Sequence, residues 1–109
     1  MILYIDTLTS VAKIWLDELP FEREMGRQMS DELMGFVLEK LNRLVPDGIV
    51  IHNDKGSFTG ARLGAVLANT LAEVWDVPIV AADGEDWRSL GDARLFVGEN
   101  DGMVKPTYE

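Results

Sequence analysis

Apolar and polar positions change rhythm along this chain. Ile2-Leu3-Tyr4-Ile5 is a continuous apolar run, the mark of a strand buried on both faces. Asp6-Thr7-Leu8-Thr9-Ser10 has turn composition, with short polar side chains that bond their own backbone. From Val11 to Leu16 two sets alternate. Val11, Lys13 and Trp15 share one face; Ala12, Ile14 and Leu16 share the other. This alternation predicts a second strand. Leu19-Pro20 reads as a break. Phe21 to Met29 reads as a third, more polar strand, whose Arg23, Glu24 and Arg27 suit an exposed edge. The three segments predict an antiparallel meander.

The period then lengthens. Ser30 is a good N-cap, followed by Asp31 and Glu32 in the first turn. Leu33, Phe36, Val37, Leu41, Leu44 and Val45 recur at helical spacing, and Met34 and Leu38 widen the stripe. Pro46 and Asp47-Gly48 stop it, so the spacing predicts a helix over 30–45. Ile49-Val50-Ile51 is a short buried strand that ends in His52-Asn53-Asp54. Lys55-Gly56-Ser57 turns the chain into a second helix over Phe58 to Trp75, and Pro78 to Ala82 is another buried strand. Helix alternating with strand implies parallel pairing and right-handed crossovers. Beyond Asp83-Gly84 the signal fades. Leu95-Phe96-Val97 and Met103-Val104 flank Gly98 to Gly102 and read as a small hairpin, with a loose end after Lys105.

The sum is β-β-β-α-β-α-β, an α/β chain with a mixed five-stranded sheet. That is the topology of a single ribonuclease H-like, actin-like (ASKHA) lobe over residues 1–84, followed by a short tail over 85–109. The fold hosts nucleases, kinases and non-catalytic subunits, so it leaves function open.

Composition narrows the choice. The chain has 109 residues, enough for one domain, and its 47% apolar content argues against disorder. With no cysteine there is no disulfide, and one histidine leaves little for a zinc site. Nineteen acidic residues against ten basic give a net charge of −9, which repels phosphate backbones. Direct nucleic-acid binding is therefore not expected. No apolar run approaches the ~20 residues of a membrane span. The opening residues lack a basic leader, so a soluble cytoplasmic protein is expected.

Gly60, Gly64, Ala68 and Ala72 are spaced by four in the second helix, with Ala61 and Ala65 beside them. Such a ridge lets another element approach closely. Either the first helix covers it within the chain, or a helix of another subunit does. Both helices are broadly apolar, which favours a subunit interface. The expected contributors are Met34, Phe36, Val37, Leu41, Gly60, Ala61, Gly64, Leu67, Ala68 and Leu71. On this reading Gly64→Leu blocks pairing and spares the fold.

Other features carry less. Gly56-Ser57-Phe58-Thr59-Gly60 opens a helix, where anions are attracted, but the spacing is not that of a Walker loop. Capping by Ser57 or Thr59 is the plainer explanation, and Arg62 is expected to pair with a carboxylate. Asp6, Asp54 and Asp83 end three strands. Clustered, they would hold Mg²⁺ for phosphodiester chemistry, although aspartate also ends strands for turn reasons alone. His52 has no obvious nucleophile partner. Trp15, Trp75 and Trp87 read as core or rim anchors.

The stretch Gly56-Ser57-Phe58-Thr59-Gly60-Ala61-Arg62 resembles the Gly-Ser-Phe-Thr-Gly-Leu-Arg motif of the TsaB (YeaZ) family. Ile2-Leu3-Tyr4-Ile5-Asp6-Thr7-Leu8-Thr9 is similar to the family's opening, and Leu71-Ala72 to Val80 to its helix end and fifth strand. The likeness runs over residues 1 to about 84. Asp54-Lys55 stand where the family usually has Gly-Pro, and the family's second lobe has no counterpart here. Only Asp92-Ala93-Arg94 and the residues after it resemble its start. The resemblance implies a non-catalytic accessory subunit with no cofactor. It would pair through its two helices with an actin-like catalytic subunit (TsaD), and a TsaE-like ATPase would dock on the pair. That machinery makes threonylcarbamoyladenosine beside the tRNA anticodon. The alternatives are a Mg²⁺-dependent ribonuclease H-like enzyme using Asp6, Asp54 and Asp83, and a homodimer that uses the same helices.

Overall fold

A computed structural model describes residues 1–53 and 58–105, with only the backbone of residues 58 and 59. The first apolar run forms β1 (Ile2–Asp6), which pairs antiparallel with β2 (Val11–Leu16) and parallel with β4 (Gly48–His52). The sheet is covered on both faces, so this central strand needs apolar residues on each: Leu3 and Ile5 are buried on one side and Tyr4 on the other. β3 (Leu19–Glu24) pairs antiparallel with β2, and β5 (Ile79–Ala82) parallel with β4. The sheet order is β3-β2-β1-β4-β5.

β3 differs from its sequence reading at both ends. Leu19 and Pro20 do not break the run; they begin the strand, opposite Leu16 and Trp15. Asp17, at φ 54°, makes the tight turn before them, and its carboxylate accepts the Ile2 amide at 2.9 Å. Proline is tolerated because β3 is an edge strand. The strand ends at Glu24, not Met29. Gly26 enters the left-handed region at φ 51° and starts a 3₁₀ turn over Gly26–Gln28. That turn points Met25 and Met29 into the core.

Helix α1 (Met29–Leu41) is shorter than the expected 30–45. Ser30 is not its cap: Gln28 holds that position without a side-chain bond. Asn42 and Arg43 both take left-handed conformations, at φ 48° and 71°. They unwind the chain before Leu44 and Val45, which are left exposed. Helix α2 (Phe58–Trp75) has the bounds its periodicity predicts. The two helices cover one sheet face, over a core that includes Leu3, Ile5, Ile14, Phe36, Val37, Ile49 and Ala68.

The tail corrects the sequence reading. Residues 95–97 form no strand, and there is no hairpin with Met103-Val104. Trp87–Phe96 is a helix, α3, packed on β4 and β5. It covers the other sheet face, where Tyr4, Val50, Val80 and Trp87 form a second core. Trp87, Gly91 and Leu95 are spaced by four, so they line one side of α3. Gly91 is required for contact: a Cβ there would lie 2.2 Å from Val50 Cγ1.

After α3 the chain wraps the β5 edge. Asn100 Oδ1 accepts the Ile79 amide at 3.1 Å, and Asp101 Oδ2 accepts the Ala81 amide at 2.9 Å. Asp101 N–H donates to the Ile79 carbonyl at 2.8 Å, and Arg94 Nη1 to the Ala81 carbonyl at 2.8 Å. The Arg94 guanidinium also pairs with Asp101 and Glu99. It holds the Asp101 carboxyl below the usual carboxylate range, against the effect of burial, and the Ala81 amide adds to this. A depressed folded pKa stabilises the fold above the unfolded value of about 3.9 and is lost as pH falls through the folded one. The stability gap between wild type and Asp101→Asn is therefore expected to be full at neutral pH and to close below about pH 4. Urea midpoints against pH would check it; a pH-independent gap would contradict this account.

Candidate functional site

The small-residue ridge faces the sheet. A Cβ built on Gly64 would lie 2.2 Å from Thr7 Oγ1 and 3.5 Å from Ile51 Cδ1. The buried Thr7 hydroxyl donates to the Gly60 carbonyl at 2.7 Å. Helix α2 thus rests on the turn after β1 because glycine and alanine let its backbone come down. Phe36, Val37, Leu41, Gly60, Ala61, Gly64, Leu67, Ala68 and Leu71 are all buried within the chain. Of the expected interface residues only Met34 is exposed. The expectation that Gly64→Leu would spare the fold is overturned by this geometry.

What α1 and α2 present outward is a different set. Met34 is 39% exposed, Leu38 44%, Val66 58% and Val74 70%. At the C-terminal ends of the two helices Leu38, Leu41, Arg43, Leu44, Val45 and Trp75 line a hollow of about 260 Å³. Helical periodicity alone did not separate these from the core residues, because both stripes are apolar. The broad apolar arc itself was the signal.

Asp54, Lys55, Gly56 and Ser57, which carry most of the loop motif, lie outside the described residues. Phe58, Thr59 and Gly60 open α2, and Arg62 is exposed on it. Asp6 and His52 end neighbouring strands and meet, with His52 Nδ1 3.2 Å from Asp6 Oδ2. The imidazole stacks on Trp87, centroids 4.7 Å apart and planes 1° from parallel. Sequence reading did not join these three, because Trp87 arrives from α3. The other Asp6 oxygen accepts the Leu8 amide at 3.1 Å, a turn role. Asp83 is exposed beyond β5. Among the described residues no group of three or more His, Asp or Glu side chains is placed to hold a metal ion.

The remaining aromatics line the second core. Trp15 meets Trp87 edge-on at 5.6 Å, and Arg88 lies over Trp15 at 4.5 Å. The Tyr4 hydroxyl donates to Asp92 at 3.2 Å. Burial and the Asp92 carboxylate push the phenol up to about 12, so it stays protonated as a donor. Trp75 packs at the end of α2.

A mixed five-stranded sheet in this order, with two helices on one face and one on the other, defines an α/β fold of the ribonuclease H-like type. Among the solved structures that share it are two YeaZ-like proteins. One is described as a crystal structure of an uncharacterized protein with similarity to peptidase YeaZ from Pseudomonas aeruginosa. It has a TM-score of 0.65 and 22% identity, over 75% of this chain and 42% of that one. The other is YeaZ from Pseudomonas aeruginosa, with a TM-score of 0.65 and 21% identity, over 83% of this chain and 49% of that one. At this identity the likeness is one of fold. This chain spans less than half the length of either protein. No family model matches it, and no curated protein does. Among the described residues no helix is long and apolar enough to cross a membrane.

Proposed function

We propose that this chain is a cytoplasmic, non-catalytic accessory subunit of the YeaZ (TsaB) kind. Its partner would be a TsaD-like, actin-like catalytic subunit of the tRNA threonylcarbamoyladenosine machinery, with a TsaE-like ATPase docking on the pair. The observation that carries the reading is the outward apolar set on α1 and α2: Met34, Leu38, Val66 and Val74. An exposed apolar surface of this kind suits a helix-to-helix interface. The fold likeness to YeaZ and the motif resemblance around Gly60 support the same reading. The acidic net charge suits a subunit that leaves tRNA contact to its partner.

The test is light scattering after gel filtration, on the chain alone and with the TsaD-like subunit from the same source. A one-to-one complex is expected. Val66→Asp with Met34→Asp is expected to weaken it at least tenfold, about 1.4 kcal/mol or more, with the melting temperature nearly unchanged because both positions are exposed. A tight homodimer indifferent to the partner, or a complex indifferent to both substitutions, would overturn the proposal.

A further inference from the structure

Glycine is a poor helix former, so one inside a helix calls for a reason. Gly64 and Gly91 have theirs within the chain, where a Cβ would lie 2.2 Å from Thr7 Oγ1 and from Val50 Cγ1 respectively. Gly35, in the middle of α1, has none: a Cβ built there meets nothing within 4 Å. It is exposed, on the side of α1 away from the buried Leu33, Phe36, Val37 and Leu41. The exposed Met34 and Leu38 stand beside it. Asp31 and Glu39, both exposed, lie one turn before and one turn after it on the same row. Asp31 has no ion-pair partner among the described residues, and Glu39 reaches Arg23 and Lys40 only at 3.6 and 3.8 Å. Lys40 is the one basic residue of α1, and it lies over the rings of Phe21 and Phe36.

We infer that Gly35 is the crossing point for a helix of the catalytic partner, and that this helix carries small or apolar residues at the contact and basic residues on either side of it. This crossing presupposes α1 and α2 as the subunit interface, the reading proposed above. Bare backbone in the middle of an apolar outward face lets a second helix come close, or seats one of its side chains in the gap. Asp31 and Glu39 then bracket the crossing, and a lysine or arginine one turn from the contact would meet each of them. A second copy of this chain fits poorly. Pairing about a two-fold axis at Gly35 would set the carboxylates of one α1 against those of the other, whichever way the helices run, and each copy carries a net charge of −9.

The experiment titrates the full chain with the TsaD-like subunit from the same source, beside urea melts of the chain alone. Gly35→Ala is expected to raise the urea midpoint, because alanine is the better helix former and its Cβ touches nothing. Gly35→Leu is expected to fold as well as wild type and to weaken the complex at least tenfold. Stability and affinity thus move apart, which a purely structural glycine would not do. Asp31→Asn with Glu39→Gln is expected to weaken the complex about threefold at low salt and to flatten its salt dependence. A complex that Val66→Asp with Met34→Asp breaks but Gly35→Leu leaves intact would overturn the crossing point and keep the subunit interface. A wild-type chain that forms no complex would overturn the subunit reading and the crossing with it. A lower urea midpoint for Gly35→Ala would overturn the crossing too, because the glycine would then serve the chain's own packing. A complex indifferent to the two carboxylates would overturn the basic character assigned to the helix.

Discussion

Gly64→Leu is expected to leave the chain unfolded. Even a methyl group at this position meets Thr7 Oγ1 at 2.2 Å and Thr7 Cβ at 3.4 Å. The threonine cannot simply swing away, because its hydroxyl is buried and bonded to the Gly60 carbonyl. Alanine in a helix gains roughly 1 kcal/mol of propensity over glycine. Overpacking a close contact costs roughly 1–3 kcal/mol, so Gly64→Ala is expected to be destabilising on balance. Leucine adds three more carbons between α2 and the sheet. The helix must then lift off β1 and β4 and expose the main core, a loss comparable to the ~5–15 kcal/mol stability of a typical domain. Circular dichroism and a urea titration would decide. Thr7→Ala should recover part of the Gly64→Ala loss, since it removes the nearest clashing atom. A Gly64→Leu protein that melts like wild type would show that α2 is seated differently.

Trp87→Ala comes next in size. Trp87 is 5% exposed and touches the rings of Tyr4, Trp15 and His52. Only Trp87 and Gly91 are buried in α3, so the indole is the helix's main attachment. Truncating a buried tryptophan costs about 3–5 kcal/mol. The expected result is a lower urea midpoint, loss of near-ultraviolet signal and release of α3 from β4 and β5. The main core on the opposite sheet face should keep its amide protection, because none of its residues packs on Trp87. Loss of protection on both faces together would mean that the two cores are one cooperative unit. A small loss, with α3 still in place, would mean that Arg94, through its bonds to the Ala81 carbonyl and Asp101, holds the helix.

Both substitutions probe features that were only partly legible. The strands β1, β2, β4 and β5 and helix α2 followed from apolar runs and from period. Each of these segments has one dominant signal and no competing one. β3 was misplaced because Pro20 looks like a breaker in sequence, and only an edge position makes it acceptable. α3 was missed because its outward positions include Leu90 and Phe96, which are exposed, while its contact position at 91 is a glycine. An apolar outside and a bare inside hide helical amphipathicity. The meeting of Asp6, His52 and Trp87 joins three segments far apart in the chain, and no local pattern encodes it.

The class of fold, the central strands and the existence of a small-residue ridge on α2 were all readable from residue order. These depend on local composition and spacing, which constrain a segment whatever surrounds it. Where the ridge points, which apolar residues stay outside and what closes the β5 edge depended on how the elements pack together. A helix with two apolar stripes has two acceptable ways to face a sheet. The choice falls to the side with glycine at 60 and 64, because only there can the backbone come within reach of Thr7 and bury the larger area.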